Sequence, residues 1–351
     1  MPGLLIIEAS GDPAAIGEAI GRALQPILGE AIVRHRQELA RSGIDWDEAL
    51  ELAQQFRGDL EGNLSRTAEE LHALARAAGC DIDALVSLNA LQETLFLTRR
   101  LRAEEGCTSL AVPAAASVDG TVLLAHNEDA LPCRHEQIYV VRARPSDEPA
   151  FVAFAYGGLF LYQGVNEAGV GSTGNALTAT DIRIGVPKLF LYREVLRAET
   201  LADALRATWL PERANGNNHL IATGDGEIYD VEVTGRHHAL LYAGNQPFAH
   251  TNHLLAPELR QFEEGDKLDS ILRRNRAQRL LELGTGQLSS TTLQALLRDH
   301  ANQPHAICKH VAPGPDRVSR TIAGLVIEVT HRAIWVAPGP PCTVGFERVS
   351  L

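Results

Sequence analysis

Long apolar runs are missing from this sequence, and none approaches the ~20 residues that a membrane span needs. The opening stretch MPGLLIIEASGDPAA has only a short apolar run, with no basic flank before it and an acid at Glu8, so no secretory signal is expected. A soluble, cytoplasmic protein is the expectation. Basic excess is missing too. With 32 Lys and Arg against 44 Asp and Glu, the formal charge is -12. Nucleic acid is therefore not an expected partner, because its binding depends on basic side chains displacing counterions. Cysteine is scarce: there are five, at 80, 107, 133, 308 and 342, an odd number with wide gaps and no C-x-x-C. That pattern argues against a disulfide framework and a zinc knuckle, and leaves thiols free for chemistry. Aromatic residues make up only 5%, so composition indicates no particular aromatic pocket. Internal repeats and low-complexity linkers are also absent. What remains, 45% hydrophobic and 22% charged, is ordinary globular composition with material for one large core or two smaller ones.

Apolar positions in residues 11 to 100 recur at helical spacing, as in Ala15, Ile16, Ala19, Ile20, Ala23 and Leu24. DWDEALELAQQF and TAEELHALARAAG continue the pattern; the second predicts a capping box at Thr67 and Glu70 and a helix end at Gly79. The pattern changes at Cys107. TSLAV and TVLLAHNE read as short strands joined by SVDG, whose Asp119-Gly120 pair suits a tight turn. QIYVVRA, AFVAFAY, HLIATG, EIYDVEV, HALLYA, GLVIEV and AIWVA continue as strands, with helices expected near 187 to 208 and 266 to 299. Sheets with helices segregated around them indicate a layered α+β architecture.

The segment RLRAEEGCTSLAVPAAASVDGTVLLAHNEDA, residues 100 to 130, joins a Gly-Cys pair at the helix-to-strand change to a hairpin ending in His126-Asn127-Glu128-Asp129. With GVNEAGVGSTGNAL, NNHLIATGDGEIYDVEV, AHTNH, SRTIAGLVIEV and APGPPC following in order, it resembles the isopenicillin N acyltransferase family, which includes amide hydrolases. The resemblance covers the chain after residue 100 strongly and the helical leader weakly. It implies the αββα sandwich of N-terminal-nucleophile (Ntn) hydrolases, made as a proenzyme that splits into a leader, 1–106, and a catalytic chain, 107–351. It further implies Cys107 as nucleophile, Asn252 as oxyanion donor, Asp129 as a holder of the new ammonium or a polar substrate group, and Ser319 in maturation or catalysis. Asn175 and His126 are expected to support the same cleft. Glu128 departs from the family pattern, where an aromatic residue is expected.

The chemistry agrees from the residues alone. A thiol one residue beyond the Gly106 carbonyl can attack it in an N-to-S acyl shift, and glycine offers no side chain to obstruct the approach. Cleavage frees an α-amine with a reference pKa of roughly 7.7 to 8.0 beside a thiol at about 8.5. Base and nucleophile then share one residue, and no separate catalytic histidine is required. The expected activity is hydrolysis of the amide of a small N-acyl compound through a thioester. Transfer of the acyl group to an amine is the alternative, although no Lys/Arg cluster presents itself for an acyl-CoA phosphate. The two processed chains are expected to stay associated, and homo-oligomerisation is left open. No cofactor is expected.

Other features carry simpler readings. Cys80, Cys133, Cys308 and Cys342 read as small buried apolar residues, since none follows Gly at a helix-to-strand change. Gly169 to Gly174 matches G-x-G-x-x-G, but the following NALTATDIRIGVPK is a poor helix start, so a glycine-rich strand and turn is preferred to a nucleotide site. His250 and His253 suggest a metal-dependent hydrolase only if they converge, and on an extended segment they would not. Phe151, Phe154, Tyr156, Phe160 and Tyr162 read first as sheet core. Glu104-Glu105 reads as solvated surface within the expected cleavage loop. A non-catalytic binding protein on the same scaffold is the rival from another class.

Overall fold

The computed structural model describes residues 3–99, 106–130, 137–310 and 319–351. Cys133 and Glu104-Glu105 lie outside them. A short strand, β1 (Leu5–Gly11), precedes the helices α1 (Pro13–Arg41), α2 (Trp46–Asn63), α3 (Ser65–Ala78), α4 (Ile82–Asn89) and α5 (Leu91–Leu97). Asp12 caps α1, its side chain accepting from Ala15 N at 2.8 Å, and Pro13 occupies the first turn, where no amide donor is needed. The capping box expected at Thr67 and Glu70 does not form. α3 starts two residues earlier, both side chains lie on its buried face, and Glu70 pairs with Arg193 instead. Gly79 does end α3, at φ 69°.

Strands β2 (Cys107–Val112), β3 (Leu123–Ala130), β4 (Ile138–Pro145), β5 (Phe151–Tyr156), β6 (Gly164–Asn166) and β7 (Val170–Leu177) follow. Next come α6 (Lys188–Arg197), α7 (Leu201–Thr208), β8 (Gly216–Thr223), β9 (Ile228–Val233), β10 (His238–Tyr242) and β11 (Phe248–His250). The chain ends with α8 (Leu268–Leu283), α9 (Ser290–Leu296), β12 (Arg320–Glu328), β13 (Ala333–Ala337) and β14 (Glu347–Ser350). The Asp119-Gly120 turn joins β2 to β3, with Thr121 N donating to Asp119 Oδ1 at 3.1 Å.

Two sheets result. The larger runs β1-β4-β5-β6-β7-β8-β9-β10 and the smaller β11-β2-β3-β12-β13-β14. They face each other through β2 and β3 against β7, and β13 against β5. Helices α1, α6 and α7 cover the outer face of the large sheet, with α3 packed on α1; α8 and α9 cover the small one. This is the αββα sandwich that the resemblance implies. Covering both faces explains why β2, β3 and β5 are buried at every position, whereas edge strand β10 alternates with solvent. Phe151, Phe154, Tyr156, Phe160 and Tyr162 are all core residues.

The part of the chain before Cys107 is not purely helical. β1 lies parallel to β4 at the rim of the large sheet, with Leu5 opposite Tyr139 and Gly11 opposite Pro145. Further in, Arg193 of α6 is fully buried and bridges Glu70 of α3 at 2.9 Å and Glu148 at 2.7 Å. No helix among the described residues is long and apolar enough to cross a membrane.

Candidate active site

Cys107 is the first residue of β2, and its antiparallel partner on β3 is Glu128. Directly opposed residues project to the same face, so thiol and carboxylate meet, with Sγ 3.8 Å from Oε2. Two residues back on that face, His126 Nε2 lies 2.9 Å from the same carboxylate oxygen. Glu128 Oε1 accepts from the Tyr156 hydroxyl at 3.0 Å. His126 Nδ1 lies 2.9 Å from Ser109 Oγ, which donates to Asn175 Oδ1 at 3.1 Å. A polar chain thus crosses the inter-sheet space from Cys107 to β7.

The backbone of Cys107 is held separately. Its N–H donates to Asn252 Oδ1 at 2.9 Å, while Asn252 Nδ2 donates to Ala176 O at 3.0 Å. Arg273 of α8 donates to the Cys107 carbonyl, to Thr108 Oγ1 at 3.1 Å and to Asn252 Oδ1 at 2.9 Å. Asp269, one turn earlier, accepts from Arg273 Nη2 at 2.8 Å and holds the guanidinium in place.

Asp129, one residue beyond Glu128, faces the other side of β3, beneath Gly106. Its N–H donates to the Gly106 carbonyl at 3.1 Å. Oδ1 accepts from Thr321 Oγ1 at 2.6 Å, and Oδ2 has no hydrogen-bond partner among the described residues. A Cβ on Gly106 would lie 2.9 Å from that Oδ2, 3.2 Å from Lys309 Nζ and 3.3 Å from Arg273 Nη2, so the position suits glycine. Lys309 Nζ also reaches Asp269 Oδ2 at 3.2 Å and Ser319 Oγ at 3.4 Å, which puts Ser319 on the Gly106 side of the site. Cys107, Asn252, Asp129, Gly106 and Ser319 therefore gather around one peptide bond; His126 and Asn175 join through Glu128 and Ser109.

Burial first, then Glu128 and Asp129, push the Cys107 thiol well above its ordinary range. The sulfur is therefore protonated at neutral pH. Burial likewise raises Asp129, with Lys309 and Arg273 pulling the other way. Burial opposes ionisation of Asp269 as well, but Arg273 and Lys309 outweigh it and hold that carboxyl well below its usual range.

Cys107 and Glu128 open on a cleft bounded by Tyr156, Tyr162, Lys188 and Leu189, so two of the five aromatic residues read as core line the site. Its cavity is only ≈ 20 Å³, about one water molecule. Gly169 to Gly174 falls in the turn into β7 and along it, with no helix before α6. Gly174 packs against protein, because a Cβ there would lie 2.0 Å from the Asn218 carbonyl. His250 Nε2 bonds Glu232 Oε1 at 2.7 Å, whereas His253 Nδ1 bonds Ser270 Oγ at 2.7 Å, so the two imidazoles take different partners.

Three charged residues around Gly106, Arg273, Lys309 and the Asp269 that pairs with both, escape the sequence reading. Arg273 carried a signal: Ser270, Arg273, Ala277 and Leu281 form the buried stripe of α8, and an arginine on such a stripe needs a partner. Lys309 in ICKHV carried none. Glu128 stands out in the sequence as a departure; only the β2–β3 register makes it the partner of Cys107.

Two facing sheets with outer helices and a cysteine at the start of an inner strand give the Ntn-hydrolase fold, and the family match that follows makes the chain an enzyme of the amide-hydrolase or acyltransferase type. The sequence model of the acyl-coenzyme A:6-aminopenicillanic acid acyl-transferase family matches residues 117–341, more than half of the chain, and the chain belongs to that family. The match takes in His126, Asp129, Asn175, Asn252 and Ser319 and begins after Cys107. No curated protein matches the chain. Among solved structures it is similar to penicillin V acylase from Agrobacterium tumefaciens, at 12% identity and TM-score 0.48 over 70% of this chain and 86% of that one. A variant of conjugated bile acid hydrolase from Clostridium perfringens is similar at 13% identity and TM-score 0.47, over 70% and 92%.

Proposed function

We propose that this chain is a self-cleaving cysteine amidohydrolase acting on the amide bond of a small N-acyl compound. The observation that carries the reading is the convergence on one peptide bond. Asp129 N–H donates to the Gly106 carbonyl, Asn252 accepts from the Cys107 nitrogen, and the Cys107 thiol stands on the cleft side. In maturation, Sγ attacks the Gly106 carbonyl carbon, the C–N bond breaks, and the nitrogen takes the thiol proton. Water then hydrolyses the thioester, leaving a carboxylate on Gly106 and a free amine and thiol on Cys107. Asp129 N–H stabilises the oxygen that becomes negative during attack.

The new amine remains on Asn252 Oδ1 and, once protonated, adds a positive charge beside a thiol that burial and two carboxylates hold neutral. That charge lowers the thiol pKa, so cleavage itself activates the nucleophile. The proton the amine gains is the thiol's own: the neutral amine takes it from sulfur, the ammonium so formed stabilises the thiolate that attacks the substrate carbonyl, and the proton then passes to the leaving nitrogen. Asn252 Nδ2, held on Ala176 at the cleft wall, is the oxyanion donor. Leu189 and the tyrosine rings suit an apolar acyl part, and Lys188 suits a polar or anionic end. Residues 1–106 then form the leader subunit and 107–351 the catalytic one.

Intact mass spectrometry of wild type beside Cys107→Ala tests the proposal. Wild type should yield fragments ending at Gly106 and starting at Cys107, the variant a single chain. Active wild type that stays whole would overturn it. Incubation of processed enzyme with N-acyl amides, with and without an added amine, separates hydrolysis from acyl transfer: strict dependence on the amine would favour transfer.

A further inference from the structure

Away from the cleft, four side chains of metal-ligand type meet at one point. His300 follows α9, Cys308 and His310 lie on the segment leading towards β12, and Cys342 follows β13. Both cysteines are free thiols. Cys308 Sγ lies 3.6 Å from Cys342 Sγ and 3.9 Å from His310 Nε2; Cys342 Sγ lies 3.4 Å from His310 Nε2; and the two imidazole Nε2 atoms are 3.0 Å apart. All four ligand atoms fall within 4.8 Å of one another.

Tetrahedral zinc, with Zn–S of about 2.3 Å and Zn–N of about 2.0–2.1 Å, separates its ligands by about 3.8 Å (S to S), about 3.6 Å (S to N) and about 3.3 Å (N to N). The four separations above fall within about 0.3 Å of these, and the two between His300 and the sulfurs stay inside 4.8 Å. A disulfide would need the sulfurs at about 2.05 Å and would leave two imidazoles turned towards them for no reason. We propose that His300, Cys308, His310 and Cys342 form a Cys2His2 site for one structural Zn2+ ion. Two thiolates and two imidazoles are the soft and borderline donors that select zinc over calcium or magnesium, and four protein ligands leave no open position for chemistry.

The site ties the segment before β12 to the segment after β13 and so clamps that hairpin from both ends. It also fixes a neighbour of the Gly106 cradle. Cys308 and His310 flank Lys309, whose N–H donates to Thr321 Oγ1 at 2.8 Å and whose carbonyl accepts from Thr321 N at 3.2 Å. The ligands turn to the metal while Lys309 turns the other way, to Asp269 and Ser319 beside Gly106. The ion is thus a positioning element for the Gly106 cradle and takes no part in the reaction.

Metal analysis of full-length protein, purified under reducing conditions from zinc-supplemented medium, tests this. One zinc per chain is expected in wild type and in Cys107→Ala, so the outcome does not depend on self-cleavage. Cys342→Ser should lose it. His300→Gln, altered at an exposed ligand that leaves the fold intact, should release zinc to a chelator that wild type resists. Cobalt loading should give thiolate-to-metal charge-transfer absorption that Cys80→Ser retains and Cys342→Ser lacks. Substoichiometric zinc in wild type, unchanged zinc in Cys342→Ser, or a Cys308–Cys342 disulfide in peptide mapping would each overturn the proposal.

Discussion

Replacing Gly106 with alanine probes the centre of the proposed maturation chemistry. The added methyl group would stand 2.9 Å from Asp129 Oδ2, 3.2 Å from Lys309 Nζ and 3.3 Å from Arg273 Nη2, all tighter than an ordinary carbon contact. None of the three moves freely. Asp129 is tied to Thr321, Lys309 to Asp269, and Arg273 to Thr108, Asn252 and Asp269. Overpacking of this kind costs about 1–3 kcal/mol. If the attacking geometry needs the cradle as it stands, the same amount enters the barrier, and cleavage slows roughly five- to 150-fold. Cell-free translation, quenched at intervals and read by mass spectrometry for the fragment starting at Cys107, gives the rate. Denaturant melts of Gly106→Ala in the uncleavable Cys107→Ala background give the stability change. Wild-type cleavage kinetics together with an unchanged melt would refute the reasoning, because the cradle would then be open around Gly106.

Two further predictions concern stability. Glu70→Ala leaves the buried Arg193 with Glu148 as its remaining ion-pair partner among the described residues, and should lower the unfolding free energy by about 3 kcal/mol in the Cys107→Ala background. The exposed pair Glu18–Arg22 is the control, with Glu18→Ala costing less than about 1 kcal/mol in the same urea melts; equal losses would contradict the burial account. His219 is pushed down to about 3, by burial first and then by Lys188 and Arg213. Its unfolded value is about 6.5, so between that pH and about 3 the unfolded chain binds one proton more. Stability from this group is complete above pH ~6.5 and falls by up to about 1.4 kcal/mol per pH unit below it. His219→Gln should flatten the stability slope between pH 6.5 and 4.5, and an unchanged slope would exclude His219 as its source.

The layered α+β architecture was legible because strand and helix periods change cleanly at Cys107, and because the Asp119-Gly120 turn fixes the first hairpin. β1 was not, since LIIEASG is short and has no neighbour in sequence to pair with; its partner β4 lies more than a hundred residues away. Helix boundaries failed where tertiary contacts outweighed local chemistry, as with Thr67, whose hydroxyl goes to Glu194 instead of a cap. At the site, the residues named from recognisable blocks lie together around Gly106 and Cys107. Arg273 and Lys309 were not, since each acts through a long side chain reaching from an element far along the chain. The Cys308 and Cys342 thiols looked inert because they lack paired spacing; β12 and β13 bring them together.

The parallel pairing of β1 with β4 has a consequence for the order of events in the life of this molecule. The proposed cut before Cys107 would leave one sheet woven from two polypeptides, seven strands from one and the rim strand from the other. Halves synthesised apart would each carry an unsatisfied strand edge, a template for indiscriminate association. If the chain is cut there as proposed, assembly has to come before severance, the pieces are matched one to one, and residues 1–106 stay as a structural partner of the rest.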